Sequence, residues 1–445
     1  MRVGGEKLWR YNAEDCCRTF ENHEVLQSIV DKLGLRAPHD FQQSLFHPTL
    51  YAMLRGVRVD EAKRKEILDQ LQAAEVDAYN WLKEVIGHEL NIRSPKQVAN
   101  FFYREVGQAA YHNRTSGGET TDDEALEKIA TREPLLRPVV DKIAELRSIG
   151  VFTGTFLRPL ADNDGRLRCS FNPAGTVTFR YSSSENAFGG GTNLENWSGG
   201  KQKKANRKPP PNVRRIIIPD PGYTFFDIDL SSADLRIVVW ESDCRKMKEW
   251  FREGKDPYTE TAKEYYNDPS ITKKDPRREL FKRFGHATNY LGKARNIAPK
   301  VGLSIPAAER TQRWYFDKFP EIERWQEKVV ATLYSTGTLR NVFGYRRKFL
   351  DRIDNTMLGE AAAWIPQSTI AVLINHAWVN LWLNLPPPTV EVLLQNHDSL
   401  AGQFLSSVPG LQERILENCQ VTLPYEDPLV IPVGLKTSEL SWGDC

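Results

Sequence analysis

RRELFKRFGHATNYLG, Arg277 to Gly292, carries more chemistry than any other stretch of this chain. Wound as a helix, it sets Arg278, Lys282, His286 and Tyr290 at i, i+4, i+8 and i+12, along one face. Two cations at that spacing can hold a polyphosphate, and the aromatic ring can stack on a base. Taken alone, a basic helix face is more often a solvated surface. Two carboxylate motifs, one upstream and one downstream, shift the balance.

Upstream, FFDIDLSSADLR (Phe225 to Arg236) runs from an apolar strand into a helix start and places Asp229 at the strand's end. An acid there is aimed at solvent or a ligand rather than into a core. Asp227 points to the same face by period-two alternation, so Asp227 as ligand with Asp229 as helix cap is the competing assignment. Downstream, NHDSL (Asn396 to Leu400) places Asp398 in the turn of a hairpin. Two carboxylates on a common sheet can share divalent cations about 3.5–4 Å apart, the arrangement phosphoryl transfer needs. Arg278 and Lys282 could then neutralise charge on the phosphates.

The rest of the chain supplies the frame. Its 445 residues are 40 % hydrophobic and 27 % charged, a soluble, globular composition with room for roughly three domains. The formal net charge of +2 selects no partner, although the basic run KQKKANRK, Lys201 to Lys208, could contact a polyanion. Cys16, Cys17, Cys169, Cys244, Cys419 and Cys445 are scattered, with no CxxC pair and no zinc spacing. They read as reduced thiols of an intracellular, cytoplasmic protein. There is no signal peptide and no uninterrupted apolar stretch long enough for a membrane span. TIAVLINHAWVNLWLNL, Thr369 to Leu385, is broken by Asn and His and reads as a core helix.

Helical patterns cover the first ~45 residues, Asp40 to Gly56 and the long amphipathic run from Asp60 to Leu90. TTDDEALEK supplies cap residues and early acids for another helix. Short strands and loops fill Gly165 to Asn196, and PDPG separates two β-rich runs ending in YTFFDIDL. Helix returns from about Ser231 to Lys348, and TVEVLLQNHDSLAGQF reads as strand, tight turn, strand. The class is α+β, with helical lobes around a small, largely antiparallel sheet.

The joint pattern resembles family A DNA polymerases. Asp229-Leu-Ser-Ser-Ala-Asp234-Leu-Arg236, then Arg278-x3-Lys282-x7-Tyr290, then His397-Asp398, are similar in order and spacing to that family's three polymerase motifs. NIRSPKQVANFF and RTSGGETTDDEALEKIA resemble its thumb, and TVTFRYSS and NLENW its template–primer contact segment. YFDKFPEIERWQ and GTLRNVFGYRR resemble the end of its fingers, and PVGLKTSELSW its C-terminus. The likeness extends over nearly the whole chain.

It implies a right-hand polymerase. Residues 1–45 would be the tail of a 3′–5′ exonuclease-like domain and 46–150 the thumb with its supporting helices. The palm would comprise 151–240 and 346–445, around fingers at 241–345. It implies Asp229 and Asp398 as metal carboxylates, with the Leu230 carbonyl as a further ligand to two Mg²⁺ ions, or Mn²⁺. Arg278 and Lys282 would hold the triphosphate, Tyr290 would pack beside the nascent pair, and His286 and Asp234 would complete the nucleotide site. Arg180 would reach the minor groove at the primer terminus. Asn193 and Asn196 fall in the template–primer segment, and Gln367 and His397 would sit near the primer end. The implied partners are primer–template DNA and dNTPs, with a separate exonuclease, helicase or processivity factor as candidates. The expected form is a monomer with no membrane association.

Four departures from the family pattern stand out. Asp234 replaces the usual Glu, which crowds the sugar 2′ position and bonds the tyrosine matching Tyr290. One methylene less should loosen that contact and weaken exclusion of ribonucleotides. His286 replaces Phe or Tyr and brings hydrogen-bonding nitrogens where Phe has none. Ser399 replaces Glu, and His-Asp-Ser resembles the single-subunit phage RNA polymerases, the main alternative along with a ribonucleotide-tolerant polymerase. Tyr11-x3-Asp15 resembles the last exonuclease motif without the earlier acidic ones, so proofreading is not expected from this chain by itself. The short chain and variant motifs fit a phage or plasmid source. A binding module that has lost catalysis, and a metal-dependent nuclease or phosphatase, are the readings from other classes. Retention of the full constellation argues against both.

Overall fold

A computed structural model describes residues 5–113, 116–186, 190–195, 197, 199–200, 210–396 and 398–445. Its pivot is a four-stranded antiparallel sheet of β1 (Tyr223–Leu230), β2 (Val390–Asn396), β3 (Ser399–Leu405) and β4 (Val433–Ser438), ordered β4-β1-β3-β2. Aromatic and β-branched residues make β1 a central strand, with Phe225, Phe226 and Ile228 fully buried. Its pairing sets Asp229 opposite Ser399 on β3 and opposite Gly434 on β4. Asp398 therefore lies one residue beyond Asp229's cross-strand partner. The β2–β3 register slips between Ala401 and Gly402, where a Cβ on Gly402 would collide with the Glu391 carbonyl oxygen. Only glycine fits there without a backbone shift.

Seven helices matter to the site and its support: α1 (Gly5–Lys32), α2 (Glu61–Ile86), α3 (Arg137–Val151), α4 (Ala233–Glu241), α5 (Pro257–Tyr266), α6 (Pro276–Asn289) and α7 (Asn355–Asn384). The long run after Asp60 forms one helix as expected, because Asp60 caps it by accepting from the Lys63 N–H (2.9 Å) and left-handed Gly87 ends it. α2 and α3 share a second core with Phe102, Leu126, Ile129, Val140 and Ile143, separate from the main one. That core lies within the segment expected to be the thumb. By contrast, α1 buries no residue.

α7 is the central core helix. Among the described residues it alone is long and apolar enough to cross a membrane, but 72 % of its apolar window is buried inside the protein. His376 on α7 is stacked between Phe41 (centroids 3.6 Å apart) and Phe343 (5.1 Å). Burial there pushes the imidazole down to about 4. Above pH 6.5 His376 is neutral whether the chain is folded or not. Between pH 6.5 and 4 the unfolded chain takes up a proton that the folded chain refuses, so stability falls as pH falls. The loss should approach about 2–3 kcal/mol by pH 4. Urea unfolding at pH 7 and 4.5 should show His376→Phe losing less stability on acidification than the native chain. Equal losses would remove His376 as the source.

Beneath the sheet runs a buried ionic network. Arg166 bonds both Asp220 oxygens (2.5 and 2.6 Å), and Arg55 joins Asp220 (2.5 Å) to Glu391 (3.1 Å). The Gln403 amide nitrogen reaches both acids (2.7 and 2.6 Å), and the Tyr51 hydroxyl donates to Glu391 (2.5 Å). Burial works to raise the Asp220 carboxyl, but the hydrogen bonds from Arg166 and Gln403 prevail and hold it below the usual carboxylate range.

Candidate active site

β1 delivers both of its acids to one face, but their surroundings differ. Asp227 accepts from the Trp442 indole N–H (2.7 Å) and from the Arg214 guanidinium (3.4 Å), so its carboxylate is engaged within the sheet's support. Asp229, two residues on, is exposed at the strand end. Asp398 is likewise exposed, in the turn between β2 and β3. Leu230 is buried and pairs across to Val433.

Beyond β1 the chain turns through Ser232, which is left-handed at φ 52°, and enters α4. Asp234 stands in the first turn of α4. Tyr290 donates its hydroxyl to Asp234 Oδ1, and His286 Nδ1 lies 3.8 Å from the same oxygen. The two rings pack edge to face, 4.8 Å apart at 71°. The shorter Asp side chain still reaches the Tyr290 hydroxyl. Burial raises the Asp234 carboxyl above its ordinary range; His286, Tyr290 and Arg180 pull it down, and the negative charge of Asp398 adds to the rise. One carboxyl thus senses groups from α6, from the hairpin turn and from the segment around residue 180.

The basic face of α6 is not uniformly open. Asp275 caps α6 by accepting from the Arg277 N–H (2.8 Å). Arg278 is 9 % exposed, and Asp256 holds it through both carboxylate oxygens (2.9 and 3.1 Å). Asp256 also caps α5, accepting from the Thr259 N–H (3.1 Å) and hydroxyl (2.6 Å). Burial works to raise the Asp256 carboxyl, and Arg278 and Thr259 outweigh it and keep it low. Lys282 and His286 are exposed, one turn apart. The helix ends at Asn289, so Tyr290 is its C-cap rather than a face residue. Leu291 follows at φ 59°, a left-handed conformation unusual for a bulky residue. Gln326 fixes this corner by donating to the carbonyls of Thr288 (2.7 Å) and Asn289 (3.0 Å).

Of the remaining candidates, Arg180 follows left-handed Phe179 (φ 61°), is half-buried, and leaves its buried Nε without a hydrogen bond among the described residues. Asn193 turns its Oδ1 inward to the Ser183 hydroxyl (2.8 Å) and the Glu195 N–H (3.0 Å), so that oxygen is committed locally. Gln367 is half-buried on α7. Asn196, His397 and Lys201 to Lys208 lie outside the described residues. Sequence reasoning missed Asp256. Its only sequence signal is the DPYT cap pattern, which foretells a helix start but not a partner on another helix.

The fold is that of a polymerase domain with palm, fingers and thumb. It superposes on the POL domain of Pol1 from M. smegmatis, solved in complex with DNA primer-template and dNTP, with a TM-score of 0.83 at 22 % identity over 96 % of this chain and 75 % of that one. The chain belongs to DNA polymerase family A, whose sequence signature spans residues 59–429. It is 26 % identical to the thermostable DNA polymerase I of Thermus filiformis over 98 % of this chain and 52 % of that protein. It is 25 % identical to the DNA polymerase I of Treponema pallidum over 98 % of this chain and 43 % of that one. The chain thus spans about half the length of the curated relatives it matches.

Proposed function

We propose that this chain is a template-directed DNA polymerase that adds dNTPs to a primer 3′-hydroxyl. One observation carries the reading: the strand that bears Asp229 pairs beside the Asp398 turn and leads into α4, where Asp234 takes the Tyr290 hydroxyl and lies 3.8 Å from His286 on the basic helix. Family membership supports it, as do the primer-template and dNTP bound to the M. smegmatis domain.

The donor set fits Mg²⁺, with Mn²⁺ as a substitute. Asp229, Asp398 and the Leu230 carbonyl are hard oxygen ligands. Among the described residues no group of three or more His, Cys, Asp or Glu gathers to hold a metal by itself. Sites of this kind are completed by water and substrate phosphates. Bound there, such ions supply activation of the attacking hydroxyl and stabilisation of the leaving oxygen. The residues do the rest. Asp229 and Asp398 would hold the ions at the sheet end, and Lys282 would neutralise triphosphate charge. Tyr290, anchored by Asp234, stands where a base pair would stack. Arg180, Asn193, Asn196, Gln367 and His397 are the candidates for primer and template contacts. The thumb grips DNA mainly through phosphates, so binding weakens steeply with salt.

Ser399 is the residue that favours an RNA polymerase. Its hydroxyl donates to the Asn396 carbonyl (3.1 Å), which closes the hairpin and gives it a structural task. Primer extension on a primed DNA template, with dNTPs and with rNTPs, decides between the two. Extension with dNTPs is expected, and a preference for rNTPs would overturn the assignment. Asp234→Glu should raise the dNTP over rNTP ratio of kcat/KM by about tenfold, the effect of one methylene in a fitted pocket. An unchanged or lower ratio would count against a sugar gate at this position.

A further inference from the structure

α1 stands apart from the packed molecule. None of its residues is buried, and only Gln27 and Val30 are half-buried. Gln27 marks the seat of the helix: its side chain accepts from Arg36 and meets His39 (3.3 Å) on the next helix, Arg36–Ser44. Yet the short stretch from Leu8 to Leu33 holds a third of the large hydrophobic residues that stand exposed among the described residues. An exposed apolar surface so concentrated marks an interaction site.

Its spacing and charge select the occupant. Leu8, Tyr11, Asp15, Arg18, Asn22, Val25 and Ile29 follow one another at alternating steps of three and four residues, the repeat of a two-helix coiled seam. The seam is apolar towards both ends and polar in the middle. Arg10 and Glu14, off the seam, pair with each other (3.2 Å), whereas Asp15 and Arg18 make no ion pair among the described residues. A second helix of the same sequence laid parallel would set Asp15 on Asp15 and Arg18 on Arg18. Laid antiparallel about a two-fold axis between these residues, it sets each Asp15 against Arg18 of the other copy. Leu8 then meets Val25 and Tyr11 meets Asn22, each contact made twice. Polar residues at seam positions fix register in this way. The overlap of roughly 24 residues, about 36 Å of helix, brings the seam near the ~1,200 Å² at which stable interfaces begin.

We propose that α1 is a self-association helix: its stripe docks, antiparallel, on α1 of a second copy of this chain and makes a two-fold dimer. None of the site residues on the sheet or on α6 lies on α1, so pairing and chemistry separate experimentally. The inference does not rest on the polymerase reading.

The test is sedimentation equilibrium of the full chain, with circular dichroism melts of the same samples. The native chain should be a dimer that dissociates on dilution through the micromolar range. Val25 is 60 % exposed and Leu8 58 %. Val25→Glu puts an unpaired charge into an apolar layer at both ends of the seam and should raise the dissociation constant by at least about a hundredfold. Leu8→Glu should do the same. Trp9, 77 % exposed but off the seam, is the control, and Trp9→Ala should leave the constant unchanged. All three variants should melt as the native chain does at concentrations where it is monomeric. Asp15→Arg should weaken the dimer by about tenfold or more, the effect of like charges set face to face. Adding Arg18→Asp should restore it, because the exchange keeps both antiparallel pairs. A native chain that is monomeric throughout overturns the proposal and leaves the stripe to a different protein. A dimer that survives Val25→Glu and Leu8→Glu, or that Trp9→Ala breaks, places the contact elsewhere and overturns it as well. A double exchange as weak as Asp15→Arg alone overturns the antiparallel pairing on which it stands.

Discussion

Asp398→Ala should lower the rate of primer extension by at least about a thousandfold, equivalent to some 4 kcal/mol of lost transition-state stabilisation. The substitution should be nearly silent for folding, because Asp398 is exposed in a turn. Asp229→Ala should be as severe, and the double variant little worse than either, since the two acids act as a unit. The informative contrast is Asp227→Asn. Asp227 is engaged by Trp442 and Arg214, and Asn keeps an oxygen for the indole N–H. This variant should retain most activity and lose some stability instead. Single-turnover extension with circular dichroism melts on the same samples separates the two effects. An Asp227→Asn chain as inactive as Asp398→Ala, yet fully folded, would return the ligand role to Asp227.

The second large effect concerns stability. Arg166→Met removes one of the two cations that serve Asp220 and Glu391, which are 9 % and 2 % exposed. Arg55 would be left to balance both acids, and its own bonds to them are already made. Breaking a buried ionic cluster by removing one partner typically costs about 3–5 kcal/mol, far more than the intact cluster contributes over a hydrophobic replacement. The exposed pair Arg10–Glu14, by comparison, should contribute well under about 1 kcal/mol. Urea unfolding at pH 7 measures both. A loss below 1 kcal/mol for Arg166→Met would show that water or a rearranged Arg55 takes over the charge.

Much of the frame was legible in the sequence because its signals are local. YTFFDIDL followed by helix formers, TVEVLLQNHDSLAGQF around a turn, and the apolar run in α7 each carry period and punctuation in a few residues. The resemblance to family A then ordered the lobes. What stayed hidden depends on packing between distant segments. Period two puts Asp227 and Asp229 on one face and cannot rank them; Trp442, 215 residues further on, separates them. A helical wheel makes Arg278 look solvent-facing, whereas Asp256, 22 residues upstream, takes its guanidinium. The contact between Asp234 and Tyr290 joins segments 56 residues apart, a pairing that no local period records.

The Asp256–Arg278 clamp has a mechanical side. Asp256 is the cap of α5, and Arg278 sits in the first turn of α6, which packs against α5. A twist of α6 on its own would have to tear two charged hydrogen bonds and uncap its neighbour. Carrying α5 along breaks neither. The two helices are thus riveted at one end into a plate, and any swing that brings Lys282 and His286 toward a nucleotide moves Pro257–Tyr266 with them.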